Sequence, residues 1–496
     1  MSLPLELAQW RANPLRELLA GAVATFALVP EVIAFSFVAG VDPQVGLFAS
    51  FVLSVVIAVA GGRPAMITAA AGSVALVAAP LVSAHGLPYL FAAGLLAGAI
   101  QLLFGMLRLG VLIRFVSSSV RTGFVNALAI LIFSAQLPHL DGANGATWAM
   151  LALGLAVIYG VPRLPLPGVR VIPSPLICIA VLSLLSVAMG LPLKTVADLG
   201  QLPGALPQWL GLPRLPWDWD TLRIIALPAL AIAMVGLLES LMTARVVDEL
   251  TDTPSPKNRE AAGLGLANMA SSLFGGIAGC GMIGQTVSNV KYGGRGRLST
   301  LFAGVFLLVL MVLLKPWVAR VPVVALVAIM VMVSIETFDW RSLRALARHP
   351  RLSGVVMLAT VGVTLGTHNL AAGVAVGVLL SGVFFTLKVS RLLGVEYQDE
   401  GDLRRYRVGG QVFFASADAF LDAFDPRALP GRRVEIALDG ARLWDITAVA
   451  ALDKVVTRFR HHGVQVRVHG LDPHSRGLMR RVRRAGEWAD YGVEGF

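Results

Sequence analysis

The sequence predicts an all-α polytopic membrane domain of about 14 segments, followed by a small α/β domain at the C-terminus. Three observations predict it. Of 496 residues, 56% are hydrophobic and 14% charged, against roughly 25% charged in soluble domains. Apolar runs of spanning length recur along the first 395 residues. Residues 396–496 hold 16 Lys/Arg and 15 Asp/Glu, so the charge density rises sharply there. This composition excludes a soluble globular chain, a disordered chain, a collagen and a disulfide scaffold. The two cysteines, Cys178 and Cys280, form no metal-ligand spacing and no disulfide framework.

The apolar runs are taken in order. Leu18–Gly40 opens the series and is long enough to span, so it is not read as a cleavable signal. Val45–Ala60, Leu87–Leu107, Phe124–Leu137, Trp148–Tyr159, Ile172–Met189 and Ile224–Met242 are continuous. Leu301–Leu314, Val318–Val333, Val355–Leu365 and Leu370–Leu387 follow. Met66–Ser83 and Gly275–Val290 are broken by small or polar residues. With the N-terminus in the cytoplasm, most basic loop residues fall inside: Arg63, Arg108, Arg114, Arg121, Arg163, Arg170, Lys291, Arg295, Arg297, Arg341, Arg344, Lys388 and Arg391. Lys315 and Arg320 are exceptions. The net charge of +11 therefore reads as topology under the positive-inside rule, and not as a nucleic-acid surface. The same count places the C-terminal domain in the cytoplasm.

The two broken runs resemble one another. Thr68-Ala-Ala-Ala-Gly-Ser-Val74 and Gly275-Gly-Ile-Ala-Gly-Cys-Gly-Met-Ile-Gly-Gln-Thr-Val287 would each begin a short helix after an extended approach. Interrupted segments in corresponding positions point to a transporter binding site. A helix N-terminus offers free N–H groups and roughly +0.5 charge, so two of them meeting in mid-membrane make an anion site. The alternative is that the small residues only permit close helix packing.

Two carboxylates lie in otherwise uncharged runs: Glu31 after Pro30, and Glu239 within Ala229–Met242. A carboxylate in the membrane is protonated or partnered, which suits a proton-coupling group. A structural hydrogen bond between helices is the other reading. Pro30 frees a carbonyl on the preceding turn and favours a cavity-lining place for Glu31. Thr243 lies one turn beyond Glu239 on the same face. Asn126, Gln136 and Asn268 read as interhelical hydrogen-bonding residues.

In the tail, Tyr406–Ala415 reads as strand-turn-strand around Gly409-Gly410. Val434–Leu438 reads as a strand ending at Asp439-Gly440, and Val464–Val468 as another. Ala448–Arg460 and Pro473–Arg484 read as helices. Thr447 is read as a helix N-cap, with regulatory phosphorylation as the alternative. Walker loops and catalytic triads find no match, so an enzyme is not expected.

These residues resemble the sulfate permease (SulP) family of anion transporters. Val29-Pro-Glu-Val-Ile-Ala-Phe-Ser-Phe-Val-Ala-Gly-Val-Asp-Pro-Gln-Val-Gly-Leu-Phe48 resembles its first-helix signature. Gly236-Leu-Leu-Glu-Ser-Leu, Asn258-Arg-Glu-Ala-Ala-Gly-Leu-Gly-Leu-Ala-Asn268 and Leu273-Phe-Gly-Gly276 are similar to its eighth and ninth helices. The tail resembles a STAS domain. The resemblance implies a seven-plus-seven inverted repeat of the uracil-permease type over residues 1–395, with the STAS domain at 396–496. Helices one to four and eight to eleven would form a moving core. Helices five to seven and twelve to fourteen would form a gate, and transport would follow elevator-type alternating access.

By the same resemblance the anion site comprises Glu31, Phe35, Ala71, Gly72, Ser73, Gly281, Met282, Ile283, Gly284, Gln285 and Thr286. Glu239 and Thr243, with Glu31, match ion-coupling positions. The chain departs from the family pattern at Ala278 for a Pro, at Gly284-Gln285 for a Ser-Arg pair, and at Ile446 for the Ser of the STAS switch, where Thr447 keeps a hydroxyl one position on. Losing the Arg removes a fixed cation and leaves more of the binding to the helix termini.

The expected activity is proton-coupled symport of a small anion: a dicarboxylate, bicarbonate or sulfate. The proton is preferred over sodium as the coupling ion, and no cofactor or metal is expected. The alternatives are an anion channel, an uncoupled exchanger, a membrane sensor with STAS output, and a nucleobase permease. The expected setting is the cell inner membrane, multi-pass, as a homodimer, with both termini cytoplasmic and a cytoplasmic protein partner for the STAS domain.

Overall fold

The computed structural model describes residue 10 and residues 13–111, 116–163, 174–200, 207–348, 351–425 and 433–484. The expected loop cations Arg114 and Arg170, and the start of the run at Ile172, lie outside them. By compactness the chain forms two units, Met1–Val378 and Leu379–Phe496.

Helices dominate the membrane part because its apolar residues leave the backbone no polar partner but itself. They are α1 (Pro14–Val38), α2 (Pro43–Ala60), α3 (Gly72–His85), α4 (Leu87–Met106), α5 (Ser118–Ser134), α6 (Gly145–Gly160), α7 (Ser174–Ala188) and α8 (Trp219–Thr251). Then come α9 (Lys257–Leu273), α10 (Ile283–Lys291), α11 (Arg297–Val318), α12 (Val323–Thr337), α13 (Trp340–Arg348), α14 (Arg351–Thr367) and α15 (Leu370–Ser390). Among the described residues, eight helices are long and apolar enough to cross a membrane, and α3, α7, α12 and α14 are shorter apolar helices.

The two broken runs are extended where they approach their helices. β1 (Thr68–Ala69) pairs antiparallel with β2 (Cys280–Gly281), Thr68 opposite Gly281 and Ala69 opposite Cys280. Cross-strand hydrogen bonding satisfies backbone groups that would otherwise be orphaned at that depth. Asn268 on α9 fixes the second arm. Its amide donates to Gln101 Oε1 at 2.7 Å and its Oδ1 accepts the Gly279 N–H at 2.8 Å. Asn126 likewise joins elements, donating to Ser342 Oγ at 2.8 Å. Gln136 does not: it follows α5 and its amide donates back to Ile132 O in the last turn of that helix, so the interhelical reading of that residue is replaced by a local one.

Several loop charges do structural work that topology counting cannot see. Arg63 is only 7% exposed. It donates to Asp248 Oδ1 at 3.1 Å and to Thr251 Oγ1 at 2.7 Å. Arg297 donates to Ala58 O and Gly61 O, both at 2.8 Å, and so closes the C-terminal end of α2. Glu17 on α1 accepts the N–H groups of Arg295, Gly296 and Ser299 at 2.6–3.1 Å, capping α11 from a distant helix.

The C-terminal unit carries a four-stranded sheet in the order β3 (Gly394–Glu400), β4 (Leu403–Val412), β5 (Arg433–Leu443), β6 (Gln465–His469). β3 and β4 are antiparallel; β4–β5 and β5–β6 are parallel. The helices are α16 (Ala417–Asp422), α17 (Ile446–His461) and α18 (Pro473–Arg484). Tyr406, Phe420, Ile436, Leu452 and Phe459 are the bulk of its core.

Two tail expectations change. Gly409-Gly410 does not turn the chain: β4 runs through it with a register shift between Arg407 and Gly409, and Gly410 takes φ +94°. The hairpin turn instead lies at Gly401, φ +60°. Nor is Thr447 the helix cap. Asp445 caps α17, its Oδ1 accepting the Ala448 N–H at 2.8 Å, and its Oδ2 accepts the Phe414 N–H at 2.9 Å. Thr447 sits exposed in the first turn of α17.

Candidate functional site

The β1–β2 pairing decides where two helices begin. Ala71 is the extended residue before α3, and Met282 the extended residue before α10. Helical geometry leaves the first N–H groups, those of Gly72, Ser73, Ile283 and Gly284 among them, without acceptors inside their helices. Both N-termini open on one cavity of about 370 Å³.

Glu31 and Phe35 from α1, Gly72 and Ser73 from α3, Glu239 and Met242 from α8, and Met282, Ile283, Gly284 and Gln285 from α10 line one side. Phe124, Val125, Leu128 and Ile132 from α5, with Met332, Val333, Glu336 and Thr337 from α12, complete it. Ser73 and Gln285 thus face a shared hollow. The Phe35 ring lies over the start of α3: a Cβ built on Gly72 would sit 2.6 Å from Phe35 Cε1, so a side chain at 72 and the ring cannot coexist unmoved.

The Gln285 side chain hydrogen-bonds the Glu31 carboxylate. Glu239 Oε2 accepts from the Ser73 hydroxyl and from Cys280 Sγ, the latter at 3.0 Å. Ser73 therefore belongs both to an α3 N-terminus and to the carboxylate of α8.

The remaining expected residues lie beside the cavity and do not line it. The Thr243 hydroxyl donates to Glu239 O at 2.8 Å or to Gly281 O at 2.9 Å, and Ser240 Oγ accepts the Gly281 N–H at 2.8 Å, so α8 is stitched to β2. Thr286 Oγ1 accepts the Ile67 N–H at 2.9 Å and ties α10 to the first arm. Ala71 and Gly281 set backbone direction. These four position the two helix ends.

Glu336 was not among the expected residues. It follows the apolar run Val318–Val333, next to Ser334 and Thr337, and so reads as a helix end beyond the span. The signal that could have found it is an acidic residue closing an apolar span that is otherwise uncharged after Arg320. Among the described lining residues there are three carboxylates and no Arg or Lys. Cations appear in an adjoining pocket that shares Val125, Met242 and Ile283: Arg121 and Arg245 line it, with Glu249 and Asp339. Among the described residues, no cluster of His, Cys, Asp and Glu is arranged to hold a metal ion.

Comparison with known proteins bears on the family and the fold. The family model described as the sulfate permease family matches residues 15–152 and 138–360, and the STAS domain model matches residues 395–485. YbaR of Bacillus subtilis (strain 168) is 48% identical over 474 residues, covering 96% of this chain and 98% of YbaR. The solved transmembrane domain of the cyanobacterial bicarbonate transporter BicA is 25% identical, with a TM-score of 0.64 over 75% of this chain and 98% of that one. The murine Slc26a9 anion transporter, solved in the inward-facing state, is 16% identical and shares the fold, with a TM-score of 0.81 over 97% of this chain and 90% of that one.

Proposed function

We propose that this chain, which belongs to the sulfate permease family, carries a small anion together with a proton. The family is one of membrane anion transporters and not of enzymes. A bicarbonate transporter is among the similar solved proteins. The substrate is drawn from bicarbonate, sulfate and dicarboxylates.

One observation carries the reading: two helix N-termini and three carboxylates share a cavity whose described lining has no Arg or Lys. Two helix ends supply roughly +1 charge together. Three ionised glutamates would outweigh that before any anion arrived. An anion enters favourably only if protons enter with it, and that requirement is the coupling. Glu239 holds the transported proton, and Ser73 connects it to the anion held at α3. Glu31, fixed by Gln285, forms the second protonatable wall.

The reading extends to the rest of the transporter. Residues 1–395 form the transport domain as a seven-plus-seven inverted repeat. The elements bearing α1–α4 and α8–α11 move as the core against α5–α7, α12, α14 and α15, in elevator fashion. Both termini are cytoplasmic, residues 396–496 form the STAS domain and recruit a cytoplasmic partner, and the assembly is a homodimer in the cell inner membrane.

The experiment is uptake of a panel of radiolabelled anions into proteoliposomes, with and without an inward proton gradient. Saturable uptake that rises with the gradient supports symport. Saturable uptake indifferent to it refutes the coupling, and large non-saturating currents refute transport by alternating access.

A further inference from the structure

We propose that Glu336 selects anions by valence, disfavouring dianions relative to monoanions; this rests on the anion-transport reading above. Glu336 lies one residue from the end of α12 and lines the same space as the α3 and α10 N-termini. It is exposed and lines the hollow, and no ion pair is formed by it among the described residues. The charged or titratable groups around that space are Glu31 from α1 and Glu239 from α8, with Tyr159 of α6 beside Glu336 itself.

Their situations differ. Glu31 is held by Gln285, and Glu239 by Ser73 and Cys280. Glu336 has no such donor among the described residues, and in its ionised form it acts through space on whatever the helix termini hold. It therefore acts at a distance on the bound anion and does not hold it.

The size of the effect follows from the cavity. A sphere of 370 Å³ is about 9 Å across, so an anion at the helix ends lies within about that distance of the carboxylate. At an effective dielectric of about 20, each added unit of anion charge is disfavoured by about twentyfold. A dianion meets that penalty twice and a monoanion once. The ratio of monoanion to dianion affinity should therefore carry about one factor of twenty that belongs to Glu336.

The test measures binding and uptake of formate and sulfate by the full-length protein in liposomes at pH 7.5. Wild type is compared with Glu336→Gln, Glu336→Ser and Glu336→Asp. The expected result is a rise of about twentyfold in the sulfate-to-formate ratio for Gln and Ser, with Asp near wild type. An unchanged ratio in a variant that still takes up formate overturns the proposal and leaves anion transport standing. Loss of both anions in the Gln and Ser variants also overturns it, in favour of direct anion contact by Glu336. If wild type shows saturable uptake of no anion, the transport reading itself fails.

Discussion

Glu239→Gln separates anion binding from proton coupling. Glutamine keeps the size of the side chain and keeps an oxygen that can accept from Ser73 and from Cys280, which stands 3.0 Å away. The oxygen that would carry the proton becomes an amide. The cavity of 370 Å³ is about 9 Å across as a sphere, and one carboxylate repels a monoanion there by about 2 kcal/mol at an effective dielectric of 20. Anion binding at neutral pH should therefore be retained or tightened, by up to roughly twentyfold. Coupling should vanish. With one proton per monoanion, each pH unit of gradient contributes about 1.4 kcal/mol, so two units drive about 100-fold accumulation in wild type. The variant should accumulate the anion about onefold. The assay is equilibrium uptake in proteoliposomes with the membrane potential clamped, alongside calorimetric binding. Accumulation of the variant that still follows the gradient would refute Glu239 as the proton carrier. Loss of binding with folding intact would refute the separation of the two sites.

Three further outcomes are expected. Gly72→Ala should displace the Phe35 ring, 2.6 Å from the added carbon, and lower anion affinity while costing about 1–3 kcal/mol of stability; calorimetric binding and melting temperature check this. Asp445→Ala removes the α17 cap and the Phe414 N–H contact, and should destabilise the STAS unit by about 1–2 kcal/mol, whereas Thr447→Ala should change its melting little. The Arg405 hydrogen bond holds the Glu435 carboxyl below the usual carboxylate range. Its contribution to stability is then full above the unfolded carboxyl pKa of about 4.3 and fades as pH falls through the lower folded value. Hydrogen-exchange protection factors across Leu403–Val412, taken against the intrinsic rate at each pH, should fall on acidification through that window in wild type, and less steeply in Glu435→Gln.

The membrane character, the STAS tail and most of one cavity wall were legible in the chain because they are local. Apolar length, two small-residue breaks, and single carboxylates in uncharged runs each depend on a few neighbouring residues. Glu31, Ser73, Glu239 and Gln285 were found that way, and they do share one hollow. The hidden parts depend on which strangers meet. Glu336 looks like an ordinary helix end until α12 is packed beside the other wall. Arg63 and Arg297 look like loop cations until their bonds to Asp248 and to Gly61 O are formed. Gly409-Gly410 looks like a turn, but pairing with β5 stretches it into a bulged strand. Thr286 and Thr243 read as site residues, and packing gives them hydrogen bonds to Ile67 and Gly281 that tie the arms to their helices. A sequence records what each segment prefers in isolation; the partner that satisfies a buried donor or charge comes from hundreds of residues away, and only tertiary packing selects it.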